Sequence, residues 1–177
     1  MREIPPTPTL PRKGGGKTKK LSAREIPLSD LDGTRRLGQR IAKLLGPGDV
    51  VALRGPLGSG KSELARGLIR ARAGAEIEVP SPSFTLIQDY AFPGLTIRHI
   101  DLFRIDRPAE LAELGLDGPE DDEAWVIEWP ERAGELLTRD RLDILLDQGP
   151  TDDSRIARLS AGPSWADRLS QLADARA

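Results

Sequence analysis

Eight consecutive residues, Gly55-Pro56-Leu57-Gly58-Ser59-Gly60-Lys61-Ser62, satisfy the pattern G-x-x-x-x-G-K-[ST] at every fixed position. Small residues let a backbone wrap closely around a phosphate, with several N–H groups turned inward. The helix that follows such a loop presents the positive end of its dipole to the same anion. Lys61 is placed to reach the β- and γ-phosphates as a mobile ammonium, and Ser62 to offer a hydroxyl oxygen to Mg²⁺. The spacing predicts nucleoside triphosphate binding by Leu57, Gly58, Ser59, Gly60, Lys61 and Ser62. A glycine-rich turn with no ligand is the competing reading. An apolar strand before the loop and an amphipathic helix after it favour the anion.

Magnesium takes oxygen ligands and retains waters, so a second contributor is expected among carboxylates. In open α/β sheets ligands sit outside the carboxyl ends of the strands. Asp101, after RHI, and Glu128, after WVI, meet that condition. Either can hold the metal through water or polarise an attacking water. Asp106, Asp121, Asp122 and Glu123 fall in loops and read as solvated charge. His99, the single histidine, reads as a structural or positioning residue rather than a catalyst. Trp129 reads as a core residue or as one packed near the nucleotide. Ser83 and Thr85 fall where P-loop proteins keep a γ-phosphate-sensing segment, and an ordinary loop is an equal alternative there. No N-K-x-D guanine reader is visible. Arg104 and Arg107 are the only arginines near a lid position, thin support for a small-molecule kinase.

The elements that must position these residues follow from periodicity. LDGTRRLGQRIAKLLG, capped by Ser29 or Asp30 and stopped at Gly46-Pro47, predicts a helix with Leu37, Ile41, Leu44 and Leu45 on one side. Val50 to Leu53 predicts a strand. ELARGLIRARAG predicts a second helix ending at Gly74. A loop is expected at Ser81 to Ser83, an extended segment at Thr85 to Tyr90, a turn at Pro93-Gly94 and a strand in TIRHIDLF. A short helix follows from Pro108 to Gly115, then a strand in AWVIEW. RLDILLD and RIARLSA predict two more strands around a Gly149-Pro150 turn. SWADRLSQLADAR predicts a terminal helix. This alternation predicts an α/β, P-loop NTPase-like three-layer sandwich around a mostly parallel sheet with antiparallel edge strands.

The 177 residues are 38% apolar and 31% charged and contain no cysteine, which excludes disulfides, thiolate metal sites and cysteine nucleophiles. No run is apolar enough for a membrane span, and no secretory leader is read at the start. Residues 1–24 hold seven Lys/Arg and one acidic residue, so the rest of the chain carries about −8 within a net charge of −2. Their Pro, Gly and Lys content predicts a disordered basic extension, solubilising or in contact with RNA or an acidic partner, ahead of a single domain over 25–177. The acidic body offers no basic stripe for direct nucleic-acid binding.

Beyond the loop, EIPLSDLDGTRRLGQRIA, SPSFTLIQDY, HIDLFRI, PAELAELGL and VIEWPERAGELL occur in one order over roughly Glu25 to Leu146. Together they resemble the bacterial TsaE ATPases (formerly YjeE) of threonylcarbamoyladenosine modification of tRNA. The resemblance implies a compact P-loop fold, ATP and Mg²⁺ as ligands, weak intrinsic ATPase activity and a cytoplasmic protein. It implies TsaD and TsaB as partners, with tRNA reached through them, at the adenosine following the anticodon. By position it implies Lys61 as the phosphate lysine, Ser62 as the magnesium hydroxyl, Asp101 as the acidic residue of the HxDLYR stretch, with Phe103 for Tyr, and Glu128–Trp129 as the functional pair. Glu128 then has a catalytic or metal-associated role, Trp129 lies near the nucleotide, Ser83 replaces a Thr, and Thr85 matches the second hydroxyl of a switch-like segment. A nucleotide-switch module without significant hydrolysis and a small-molecule kinase are the alternatives.

Overall fold

The computed structural model describes residues 23–107, 110–111 and 114–174. Residues 1–22 of the basic extension and half of the helix expected from Pro108 to Gly115 lie outside them. Seven strands form one sheet: β1 (Ala23–Leu28), β2 (Val50–Arg54), β3 (Ile87–Phe92), β4 (Leu95–Asp101), β5 (Glu123–Glu128), β6 (Leu142–Gln148) and β7 (Arg155–Ala161), in spatial order β1-β7-β6-β2-β5-β4-β3. Among the described residues the α-helices longer than one turn are α1 (Leu31–Ala42), α2 (Lys61–Ala73) and α3 (Ala166–Asp174). The central pairs β6–β2, β2–β5 and β5–β4 are parallel, while β3, β7 and β1 join antiparallel to their neighbours. Five strands therefore share one direction, and the reversals sit toward the edges.

Burial explains the order. Every residue of β5, and Val50 to Leu53 of β2, is buried, the signature of strands covered on both faces. β6 alternates buried and half-buried positions, as expected of a strand covered mainly on one face. Leu37 and Ile41 of α1, Leu64 and Leu68 of α2, and Leu169 and Leu172 of α3 share one core with inward residues of the sheet. A smaller core on the opposite face joins Val50, Ile100, Trp125 and Ile127 to Leu102, Ile105, Leu111 and Ala133. Its covering layer includes the 3₁₀ turns of Pro130–Leu136 and residues Leu102, Ile105, Leu111 and Leu116. Among the described residues no helix is long and apolar enough to cross a membrane.

Two expectations are refined and one strand is added. Asp30 caps α1, its carboxylate accepting from Gly33 N at 2.6 Å, and the helix ends at Ala42, short of Gly46. The last turn tightens there, with Leu44 N and Leu45 N both donating to Ile41 O. The extended segment starts at Ile87 rather than Thr85, because Leu86 adopts φ 65° in a turn closed from Leu86 N to Pro82 O. β1 went unread: its Pro27 weakens any strand pattern, and proline is tolerated because β1 is an edge strand paired only with β7.

Candidate nucleotide site

β2 ends at Arg54, and the chain turns through Gly55 to Gly60 before α2 begins at Lys61. Gly55 has φ 135°, and a Cβ there would lie 2.4 Å from Leu146 O and 2.7 Å from Ser59 Oγ. Only glycine lets the loop turn this tightly against β6. Ser59 is buried, and its hydroxyl has no hydrogen-bond partner among the described residues.

Lys61 is 4% exposed. Its ammonium donates to Gly55 O at 2.8 Å and Pro56 O at 2.9 Å and lies 3.8 Å from the centre of the Trp129 ring. Burial pulls its pKa below the ordinary lysine value, against the opposing pull of Glu128, Glu131 and Asp101. A buried ammonium whose hydrogen bonds go only to carbonyls is placed to meet an anion.

Asp101 and Glu128 are direct partners in the β4–β5 register, so parallel pairing carries both carboxylates to one edge of the sheet. Both are buried. Asp101 Oδ2 accepts from Ser83 Oγ at 2.7 Å and Ser81 Oγ at 3.2 Å, and Oδ1 accepts from Phe103 N at 2.9 Å. Glu128 Oε2 accepts from Ser62 Oγ at 2.9 Å, and Oε1 lies 2.9 Å from His99 Nε2. Trp129 follows with φ 59°, an uncommon conformation for a bulky residue, and its ring tilts at 48° against Phe103 with centroids 5.1 Å apart.

A cavity of about 680 Å³ collects these groups. Leu57, Gly58, Ser59, Gly60, Lys61, Ser62, Asp101, Glu128 and Trp129 all line it, as does Ser83. Thr85 is exposed and is not among the lining residues. The lining also includes residues that sequence reasoning missed, among them Thr34 near the start of α1, and Asp153 and Arg155. Asp30 lines it too, beyond its role as a cap. Arg155 donates to Ser59 O at 3.2 Å and to Gly58 O at 3.3 Å. Because β6 runs parallel to β2 and β7 returns antiparallel, the first residue of β7 must land beside the loop. No local pattern near Arg155 signals this.

Hard oxygen donors converge here, the chemistry Mg²⁺ requires. Ser62 Oγ sits within hydrogen-bond distance of a carboxylate oxygen. Among the described residues no cluster of three or more His, Asp or Glu side chains can hold an ion alone. Magnesium in nucleotide sites normally uses one or two protein oxygens together with phosphates.

A family model described as threonylcarbamoyl adenosine biosynthesis protein TsaE matches residues 28–157. The tRNA threonylcarbamoyladenosine biosynthesis protein TsaE of Rickettsia felis is 35% identical over 120 residues, which cover 68% of this chain and 70% of that protein. The Mycobacterium tuberculosis protein of the same description is 37% identical over 146 residues, covering 77% and 86%. The crystal structure of Bacillus subtilus YdiB superposes with a TM-score of 0.67 at 24% identity, covering 85% of this chain and 93% of that one, a likeness of fold.

Proposed function

This chain belongs to the TsaE family, and on that premise we propose that it is a Mg²⁺-dependent ATPase. In this reading it supports a TsaD–TsaB complex in threonylcarbamoyladenosine modification of tRNA. The observation that carries the hydrolytic part is the linkage of Glu128 to Ser62 inside the cavity that Lys61 and the glycine-rich loop also line.

Backbone N–H groups of the loop and the N-terminus of α2 bind the polyphosphate. Lys61 exchanges its loop carbonyls for phosphate oxygens. Ser62, with Asp101 or Glu128, would hold magnesium, which when bound offsets negative charge on the phosphates. Glu128 orients a water toward the γ-phosphorus; the new bond from the water oxygen forms as the β–γ bridging P–O bond breaks, leaving ADP and phosphate. Thr34, Asp153 and Arg155 complete the cavity wall beside the loop. Trp129 packs beside the phosphate lysine.

Two features support slow turnover by the isolated chain. Asp101 is clasped by Ser81 and Ser83, and Lys61 is engaged by its own loop. A docking partner that reorders the Ser81 to Tyr90 segment would free Asp101. The test is the ATP hydrolysis rate of the full chain with and without purified TsaD and TsaB. Stimulation by the pair is expected, and an unchanged rate would contradict partner gating. The same clasp also favours a nucleotide switch with negligible hydrolysis. That reading requires partner affinity to differ between ATP and ADP while single-turnover chemistry stays at background.

A further inference from the structure

We propose that His99 is the positioning residue that holds Glu128 in its hydrolytic orientation, a role that rests on the ATPase reading above. A carboxylate at the end of a Glu side chain turns about a broad, roughly two-fold torsion, so a water-orienting glutamate needs an anchor. Glu128 has two. Ser62 Oγ lies 2.9 Å from Oε2, and His99 Nε2 lies 2.9 Å from Oε1.

The two anchors differ in permanence. Ser62 belongs to the first turn of α2 and lines the cavity, where its hydroxyl is the oxygen a magnesium–nucleotide complex recruits. Once it turns away, His99 is the only side chain among the described residues that still holds Glu128 by a hydrogen bond. His99 sits in β4, 1% exposed, fixed by parallel pairing opposite Val126 of β5. It is absent from the cavity lining while Glu128 is present. Oε1 is therefore held toward the sheet interior, and Oε2 is left to face the cavity.

The geometry also assigns the proton. A carboxylate oxygen accepts, so the ring must present Nε2–H to Oε1. Nδ1 is buried and has no hydrogen-bond partner among the described residues. An unmet lone pair is tolerated in a protein interior better than an orphaned N–H, which agrees with the proton at Nε2.

The chain contains one histidine, so its imidazole ¹⁵N spectrum has a single source. In the metal-free full-length protein, a proton on Nε2 is expected, and an Nε2 lacking one would overturn the proposal. Turnover and ATP affinity of His99→Leu and His99→Gln give the functional arm. Leu fills the space without a donor, whereas the Gln amide restores an N–H. His99→Leu is expected to lower kcat about 10- to 100-fold, the usual cost of losing such an outer partner, with ATP affinity unchanged and most of kcat regained in His99→Gln. Wild-type turnover in His99→Leu, or a His99→Gln variant equally slow while binding ATP normally, would overturn the role. If His99→Leu does not fold, the Gln variant and the spectrum decide. A wild-type chain that hydrolyses no ATP even with its partners would sink the hydrolysis reading and this role with it, leaving the His99–Glu128 pairing readable in the spectrum.

Discussion

Replacing Gly38 by alanine tests whether the nucleotide cavity depends on a close helix crossing. Gly38 of α1 faces α2 so tightly that a Cβ would lie 2.3 Å from Leu64 O and 2.8 Å from Leu68 N. Gly67 makes the reciprocal approach, 2.5 Å from Arg35 O. Favourable carbon contacts begin near 3.5 Å, so the helices must part by about 1 Å. The obstacles are backbone atoms and cannot rotate aside. Overpacking costs about 1–3 kcal/mol, and immovable backbone obstacles put this site in the upper part of that range, about 2–3 kcal/mol; the better helix propensity of alanine returns about 1 kcal/mol. A net loss of about 1–2 kcal/mol corresponds to a Tm lower by about 2–8 °C in a domain of this size. Thermal unfolding followed by circular dichroism reads it, with Gly46→Ala as control, since its nearest neighbour is 3.9 Å away. ATP affinity should fall as well, because α1 carries Leu31 and Thr34 and α2 carries Lys61 and Ser62 into one cavity. A Gly38→Ala protein as stable as the wild type would refute the reasoning.

Glu128→Gln keeps the shape of the side chain and removes its charge. Turnover is expected to drop by at least about 100-fold, while calorimetric ATP affinity holds or improves because a negative charge leaves the phosphate site. Arg155→Ala removes the guanidinium that spans Gly58 O and Ser59 O; ATP binding should weaken roughly tenfold, the loss of one charged hydrogen bond, with kcat at saturation little changed. Asp30→Ala removes the α1 cap, whose pKa is lowered chiefly by the Gly33 N–H. Such a carboxylate stabilises the fold above its unfolded pKa and loses that contribution as pH falls through the folded value. The Tm deficit of Asp30→Ala should therefore be full at neutral pH and fade in acid.

The loop, both helices flanking it and the strand-end carboxylates were legible because each is a local pattern. A fixed glycine–lysine spacing, a 3.6-residue period and an acid closing an apolar run do not depend on tertiary context. What escaped depends on sheet order. Arg155 is 96 residues from Ser59 and reaches it only through the parallel β2–β6 pair and the antiparallel return of β7. Asp30 was legible as a cap but not as a cavity residue, since only the α1–α2 crossing brings it to the loop. The His99–Glu128 contact is set by the register of β4 on β5, which alternation alone does not specify. Thr85 was expected at the site from its place in SPSFTL, and the left-handed turn at Leu86 leaves it exposed.

The central claim is that Lys61 and the loop amides grip a triphosphate together with magnesium. Calorimetric titration of ATP into the folded full-length chain, with and without Mg²⁺ and repeated on Lys61→Ala, tests it most directly. Saturable, magnesium-dependent binding that disappears in Lys61→Ala is expected. Absence of binding to the folded wild-type chain, or equal affinity in the variant, would contradict it.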